Sequence, residues 1–279
     1  MTDERSAGAG LSPAAPTFIQ SRDNAFLKDL RRLAHDSGAY RRQGRIWLEG
    51  DHLCRAALER GVRPAIGVYA ESYGAAALEQ WAGFAARNIV LADALWSDVS
   101  GLESPARMGF VVQAPEACGL DTGAPTVVLD RLQDAGNVGS ILRSASAFGF
   151  RQIAALKGTA ALWSPKVLRA GMGAHFALRL VEGLAIEDID ALEIPLLATS
   201  SHGGDLLHRA RLPWPCGWIM GHEGQGVSDA LQQRARHLIR IAQPGGEESL
   251  NVGAAAAICL HASAALVDGP SDATGPAIA

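Results

Sequence analysis

Thr126-Val-Val-Leu-Asp130-Arg-Leu-Gln-Asp-Ala-Gly-Asn137-Val-Gly139-Ser-Ile-Leu-Arg143-Ser-Ala-Ser-Ala-Phe-Gly149 reads as an apolar strand, a glycine-bearing turn and a helix in direct succession. The strand ends at Asp130 and the helix is expected to open near Gly139, with Asn137 placed to cap it. Free N–H groups and the helix dipole make such a turn able to hold an anion. Arg143, on the first turns, can reach back over the same loop to grip a phosphate through two parallel bonds.

Working outward, the same alternation continues to the end of the chain. Strands are expected at 126–130, 152–156, 177–181, 195–200, 218–221 and 238–241. Helices are expected at 140–148, 165–172, 186–192, 229–236 and 251–266. Strand and helix in turn predict an α/β domain whose parallel sheet is covered by helices on both faces. Ligands of such sheets gather at the carboxyl ends of the strands. A polar Gly/Pro-containing stretch, residues 114–125, separates this segment from an earlier one with its own alternation. There 24–34 reads as an amphipathic helix, 45–49 as a strand, and 51–59 as a helix that Asp51 caps. Further strands are expected at 64–70, 88–91 and 108–113. The organisation is then a disordered tail (1–17), a small α/β module (18–114), a linker (115–124), the larger α/β domain (125–268) and a second tail (269–279).

Composition narrows the class. Of 279 residues 48% are hydrophobic and 19% charged, a globular balance, and no apolar run reaches the length that crosses a bilayer. The first sixteen residues carry Asp3 and Glu4 and lack the apolar segment of a secretory signal. Four cysteines, far apart and with no CxxC pair, point away from a zinc site or a disulfide framework and toward a reduced cytoplasm. No metal is expected. The net charge of −4 does not announce a polyanionic partner, but Arg22 to Arg45 holds seven basic residues against three acids. Among these Arg22, Lys28, Arg41, Arg42 and Arg45 are candidates to hold phosphate. A solvated helix face is the plain alternative.

Two more polar strings follow strands. Gly221-His-Glu-Gly-Gln-Gly226 places three glycines within six positions, which permits close backbone approach to a ligand. It has neither the Lys-Ser/Thr of a phosphate-binding P-loop nor the spacing of a dinucleotide fingerprint. His222 within this string reads as an ordinary loop histidine. Ile239-Arg-Ile-Ala-Gln-Pro-Gly-Gly-Glu-Glu-Ser249-Leu-Asn251-Val leads into a helix of unusually small residues, Gly253 to Ala257, suited to close packing. Ser249 or Asn251 alone would read as a helix cap.

Together the three strings resemble the motifs of the SpoU (TrmH-like) family of RNA 2′-O-ribose methyltransferases, within the SPOUT superfamily. The matching residues are Asn137, Gly139 and Arg143, then Gly221, Glu223, Gly224 and Gly226, then Glu248 to Val252. The resemblance implies a domain tied in a deep trefoil knot, a homodimer whose active sites draw on both subunits, and S-adenosylmethionine as cofactor. It implies that Gly221, Ile241, Leu250, Thr199 and Gly226 hold that cofactor. Arg143 would be the central catalytic residue, with Asn137, Glu223, Ser249 and Asn251 orienting it and the RNA. The first module is more loosely similar to the L30e-like substrate-binding domain that precedes many such catalytic domains, which favours ribosomal RNA, the large subunit's above all. The chain departs from the family pattern at Ala135, often Pro, and at Ile241-Ala-Gln, often Ile-Pro-Met. The alternatives are a transfer-RNA ribose methyltransferase and a non-catalytic RNA-binding ribosome-assembly factor. The second should have lost Arg143, Asn137, Ser249 or Asn251, and all four are present.

Overall fold

A computed structural model describes residues 15–102, 104–201, 203–246 and 249–267. The expected tails lie outside these residues, apart from the last residues of the first, where Thr17 already opens a strand. The motif residue Glu248 also lies outside them. Contacts divide the chain into two units, one running to Glu116 and including Trp163–Arg169, the other holding the remainder.

The first unit is a mixed five-stranded sheet with helices. Its strands are β1 (Thr17–Ile19), β2 (Arg45–Glu49), β3 (Ile66–Ala70), β4 (Arg87–Leu91) and β5 (Met108–Gln113). The order is β1-β4-β3-β5-β2, with β1, β4 and β3 parallel and β5 antiparallel to both its neighbours. Helices are α1 (Ala25–His35), α2 (Ala39–Gln43), α3 (Asp51–Glu59), α4 (Ala75–Trp81) and α5 (Asp93–Trp96). α1 forms because Asn24 Oδ1 accepts from the N–H groups of Phe26 and Leu27, while Leu27, Leu30 and Leu33 recur on one buried face. Asp51 is not the cap of α3. Gly50 holds that position with φ +96, a backbone only glycine adopts freely, and Asp51 is the first helical residue, where its charge suits the dipole.

The second unit is built on seven parallel strands: β6 (Thr126–Leu129), β7 (Gln152–Leu156), β8 (Arg179–Leu184), β9 (Leu196–Thr199), β10 (Asp205–Leu206), β11 (Gly217–Met220) and β12 (His237–Arg240). Their order is β10-β12-β9-β11-β6-β7-β8. The central strands are unbroken apolar runs, buried on both faces, as a helix-covered parallel sheet requires. Val128, Ala154, Ala198 and Ile219 form one core with Ile189, Val227 and Leu231. The helices are α6 (Ala135–Ala147), α7 (Pro165–Gly171), whose residues to Arg169 count with the first unit, α8 (Asp229–Arg234) and α9 (Val252–Val267). The stretch expected as a helix at 186–192 is a 3-10 turn, Glu187–Ala191, carrying three acids in five residues. α9 lies against the sheet through Ser263 Oγ, which accepts from Trp218 Nε1 at 2.9 Å.

Candidate active site

α6 begins four residues earlier than its glycines suggest. Asp134, not Asn137, is the cap: its Oδ1 accepts from Asn137 N at 2.7 Å. A carboxylate at that position satisfies the orphan donor and suits the dipole, so Asn137 sits inside the helix with its amide free for other work. That amide joins the three strings. Asn137 Nδ2 donates to Glu223 Oε1 at 3.2 Å, and Asn137 Oδ1 accepts from Asn251 Nδ2 at 2.8 Å. Asn251 caps α9 with its other amide atom, Oδ1 accepting from Gly253 N at 2.9 Å and Ala254 N at 3.2 Å.

Glu223 also accepts from Gln133 N at 3.3 Å and Asp134 N at 3.1 Å, so it pins the β6–α6 loop to the glycine-rich loop. Burial pushes its carboxyl upward. The hydrogen bonds from its own N–H, from Asn137 and from the Asp134 and Gln133 backbone outweigh that, and the group is held below the usual glutamate range. His222 belongs to the same turn, its Nδ1 accepting from Gly224 N at 3.0 Å. Gly221 has no room for a side chain: a Cβ would lie 2.1 Å from Gly226 C and Val227 N. Gly226 has φ +69 and nothing within 4 Å of an added Cβ. Gly139 is similarly constrained, since a Cβ there would meet Ala170 Cβ at 2.3 Å.

Between the loops that follow β9, β11 and β12 lies a recess of about 590 Å³. Thr199, Gly221, Gly226, Ile241 and Leu250 all line it, as do Glu223, Ser249 and Asn251. Its size suits a small-molecule ligand. Exposed backbone of the glycine loop and Ser249 offer polar contacts, and Leu250, an exposed leucine, offers an apolar one. Thr199 Oγ1 is engaged, donating to Ile219 O at 3.1 Å. Arg143 stands apart from this cluster. It is exposed on α6 and has no ion pair or side-chain hydrogen bond among the described residues. Those residues also contain no group of three His, Cys, Asp or Glu able to hold a metal, and no helix long and apolar enough to cross a membrane.

Sequence reading overlooked a second tether. Asp130 is fully buried at the end of β6, accepting from Arg131 Nε at 2.8 Å and Ser228 N at 2.7 Å. Burial raises its carboxyl, but these bonds prevail and hold it below the ordinary range. Arg131, with φ +60, passes the link on to Gln225 Oε1 at 3.2 Å. An aspartate ending an apolar strand, with a cation next to it, was the available signal. In the first unit the basic candidates are largely paired: Arg22 with Asp98, Lys28 with Asp23, and Arg42 with Asp36. Arg41 lies over the Tyr40 ring, and Arg45 is exposed on β2.

The chain matches known proteins in sequence and in fold. Residues 124–261 match the SpoU rRNA Methylase family. The 23S rRNA (guanosine(2553)-2′-O)-methyltransferase RlmP of Bacillus subtilis is 29% identical, over 87% of this chain and 97% of that one. A tRNA/rRNA methyltransferase of Synechocystis sp. described as uncharacterised is 31% identical, over 87% of this chain and 92% of that one. A crystal structure of an RNA 2′-O ribose methyltransferase superposes with a TM-score of 0.73 at 28% identity, covering 88% of this chain and 98% of that one. The chain belongs to the SpoU rRNA methylase family.

Proposed function

We propose that this chain transfers a methyl group from S-adenosylmethionine to a ribose 2′-hydroxyl of ribosomal RNA, the large subunit's in first place. The observation that carries the reading is the Asn251–Asn137–Glu223 relay, which draws three strings far apart in sequence to the rim of one small-molecule recess. Residues Gly221, Ile241, Leu250, Thr199 and Gly226 line the cofactor's side of that recess, and the cofactor supplies the electrophilic methyl. Ser249, Asn251 and Asn137 orient the ribose, with Glu223 fixing Asn137; positioning of this kind carries much of the rate of an in-line transfer. Arg143 serves as a phosphate anchor that stabilises the developing alkoxide; the hydroxyl gives its proton to bulk water as the O–CH3 bond forms and S-adenosylhomocysteine departs. The unpartnered, exposed guanidinium of Arg143 supports that role.

The C-terminal part of the second unit forms a deep trefoil knot, a reading supported by the run of small residues, Gly253 to Ala257, that opens α9. The chain acts as a homodimer in the cytoplasm, with Arg143 completing a site that its own subunit leaves open. The first unit is an L30e-like substrate-binding domain that meets RNA through Arg41 and Arg45, with Arg22, Lys28 and Arg42 exchanging their carboxylate partners for phosphate.

The test is transfer of labelled methyl to unmethylated ribosomal and transfer RNA by wild type and Arg143→Ala. Label recovered as a 2′-O-methylated nucleotide of ribosomal RNA, and lost in the variant, is the expected result. Label in transfer RNA alone would move the substrate. Cofactor binding without transfer to either RNA would favour an assembly factor.

A further inference from the structure

A second recess, of about 540 Å³, lies at the β10–β12 edge of the seven-stranded sheet, and it is basic. Arg209, Arg211, Arg240 and His237 line it, against one acid, Asp205. Arg209 and Arg211 come from the turn after β10, while His237 and Arg240 bound β12. All three arginines are exposed, and none forms an ion pair or side-chain hydrogen bond among the described residues. Arg234 of the same unit, by contrast, pairs with Asp190 at 2.7 Å. In a chain of net charge −4, three arginines converging on a recess with one acid, Asp205, raise local potential at a cost in self-repulsion. Charges on an edge strand also deter pairing with other chains. That purpose is served by either sign and by side chains that diverge, and it does not account for a concave cluster of one sign.

Planar guanidiniums gathered around a hollow suit phosphate oxygens. Ile239 lines this recess and also the one assigned to the cofactor, so a single strand, β12, separates the two. We propose that Arg209, Arg211 and Arg240 form an auxiliary binding site for RNA backbone phosphates, which holds the substrate strand beside the reaction site and fixes its register. The proposal rests on the RNA substrate assigned above. Such contacts position an RNA without reading its bases.

The experiment measures retention of in-vitro-transcribed ribosomal RNA by the full-length protein across about 50 to 200 mM salt, for wild type, Arg209→Ala/Arg211→Ala and Arg209→Lys/Arg211→Lys. Each phosphate contact removed lowers the slope of log affinity against log salt by about 0.7 to 0.9, so the double alanine variant should lose about 1.5 in slope. S-adenosylmethionine affinity should be unchanged, and the lysine variant should keep the wild-type slope. Wild-type slope in the alanine variant overturns this site while leaving the methyltransferase reading intact. So does a lysine variant as impaired as the alanine one, which would show a structural and not an electrostatic effect. Absence of salt-sensitive RNA binding by wild type overturns both readings.

Discussion

Replacing Asn137 by Asp changes one atom at the hub of the site and should produce a stability defect that acid repairs. In the wild type Asn137 Nδ2 donates to Glu223 Oε1 at 3.2 Å, while Asn137 Oδ1 accepts from Asn251. The variant keeps the acceptor and turns the donor into a carboxylate oxygen facing another carboxylate. Loss of a hydrogen bond to a charged group costs about 1.5 kcal/mol. Two unit charges 3.2 Å apart repel by about 1.3 kcal/mol in a water-like medium, the right limit for an exposed Glu223. The sum, about 3 kcal/mol near pH 7, corresponds to a Tm lower by about 6–12 °C for a domain of this size. Asn137→Ala loses both bonds but gains no charge, and should cost about 2 kcal/mol. The sign of the pH dependence separates the two. Repulsion between the introduced carboxylate and Glu223 raises the proton affinity of the pair in the folded state above that in the unfolded chain. The folded variant therefore binds more protons, and its stability rises as pH falls toward about 4. In the wild type Glu223 is held low, so its contribution is present above the usual glutamate range and is lost as pH falls through the lowered value. Thermal melts near pH 7 and pH 4 should therefore show the Asp variant closing on wild type and approaching the Ala variant, by at most the repulsion of about 1.3 kcal/mol. An Asp variant that runs parallel to wild type at both pH values would refute the relay.

Three further outcomes follow from the same geometry. Gly221→Ala forces a Cβ to within 2.1 Å of backbone, so it should lower stability by about 1–3 kcal/mol and weaken S-adenosylmethionine binding at least tenfold by calorimetry; unchanged binding would remove Gly221 from the cofactor's wall. Ala135→Pro should raise Tm by about 1–4 °C, because Ala135 is the first residue of α6 and Asp134, at φ −76 and ψ 118, already has the extended backbone that precedes proline; a lower Tm would refute the assignment of the helix start. Reversing the charge of Arg41 and Arg42 should weaken RNA binding and leave cofactor binding unaltered, and equal loss of both, or of neither, would remove that face from the RNA path.

Much of the architecture was legible because its signals are local. The apolar runs 126–129, 152–156 and 217–220 are strands for the reason they looked like strands, being buried on both faces. What escaped depends on partners distant in sequence. β10 is two residues long and exists only because Asp205 and Leu206 pair with Ile239 and Arg240 of β12. The stretch 186–192 carries a helical rhythm, but only a 3-10 turn forms there, packed through buried Ile189. Strand order is likewise absent from the text of the chain: β11 lies between β6 and β9 although β7, β8, β9 and β10 separate it from β6 in sequence.

The site divides in the same way, and the division explains which residues could be found by reading. Asn137, Glu223 and Asn251 stood out through the strings they occupy, yet each has a plain local explanation as a turn or cap residue. For Asn251 that explanation is correct and still incomplete, since one amide caps α9 with its oxygen and holds Asn137 with its nitrogen. For Asn137 it fails, because Asp134 already caps α6 and leaves the asparagine side chain without a local task. A polar side chain released in this way has to be satisfied by another element, and here it is satisfied from two directions at once. Asp130 illustrates the reverse case: it looks like an ordinary strand terminus, but it is buried to completion and binds the loop that carries Glu223 through Ser228. Arg131 then reaches Gln225 in that loop from a left-handed backbone, which an arginine adopts only under constraint. Two independent ties, Glu223 to the β6–α6 loop and Asp130–Arg131 to the glycine loop, thus fix the same pair of segments. Their joint effect is to preorganise the rim of the recess before any ligand arrives, and among the described residues Arg143 and Ser249 are the candidate reacting groups left outside that lattice of bonds.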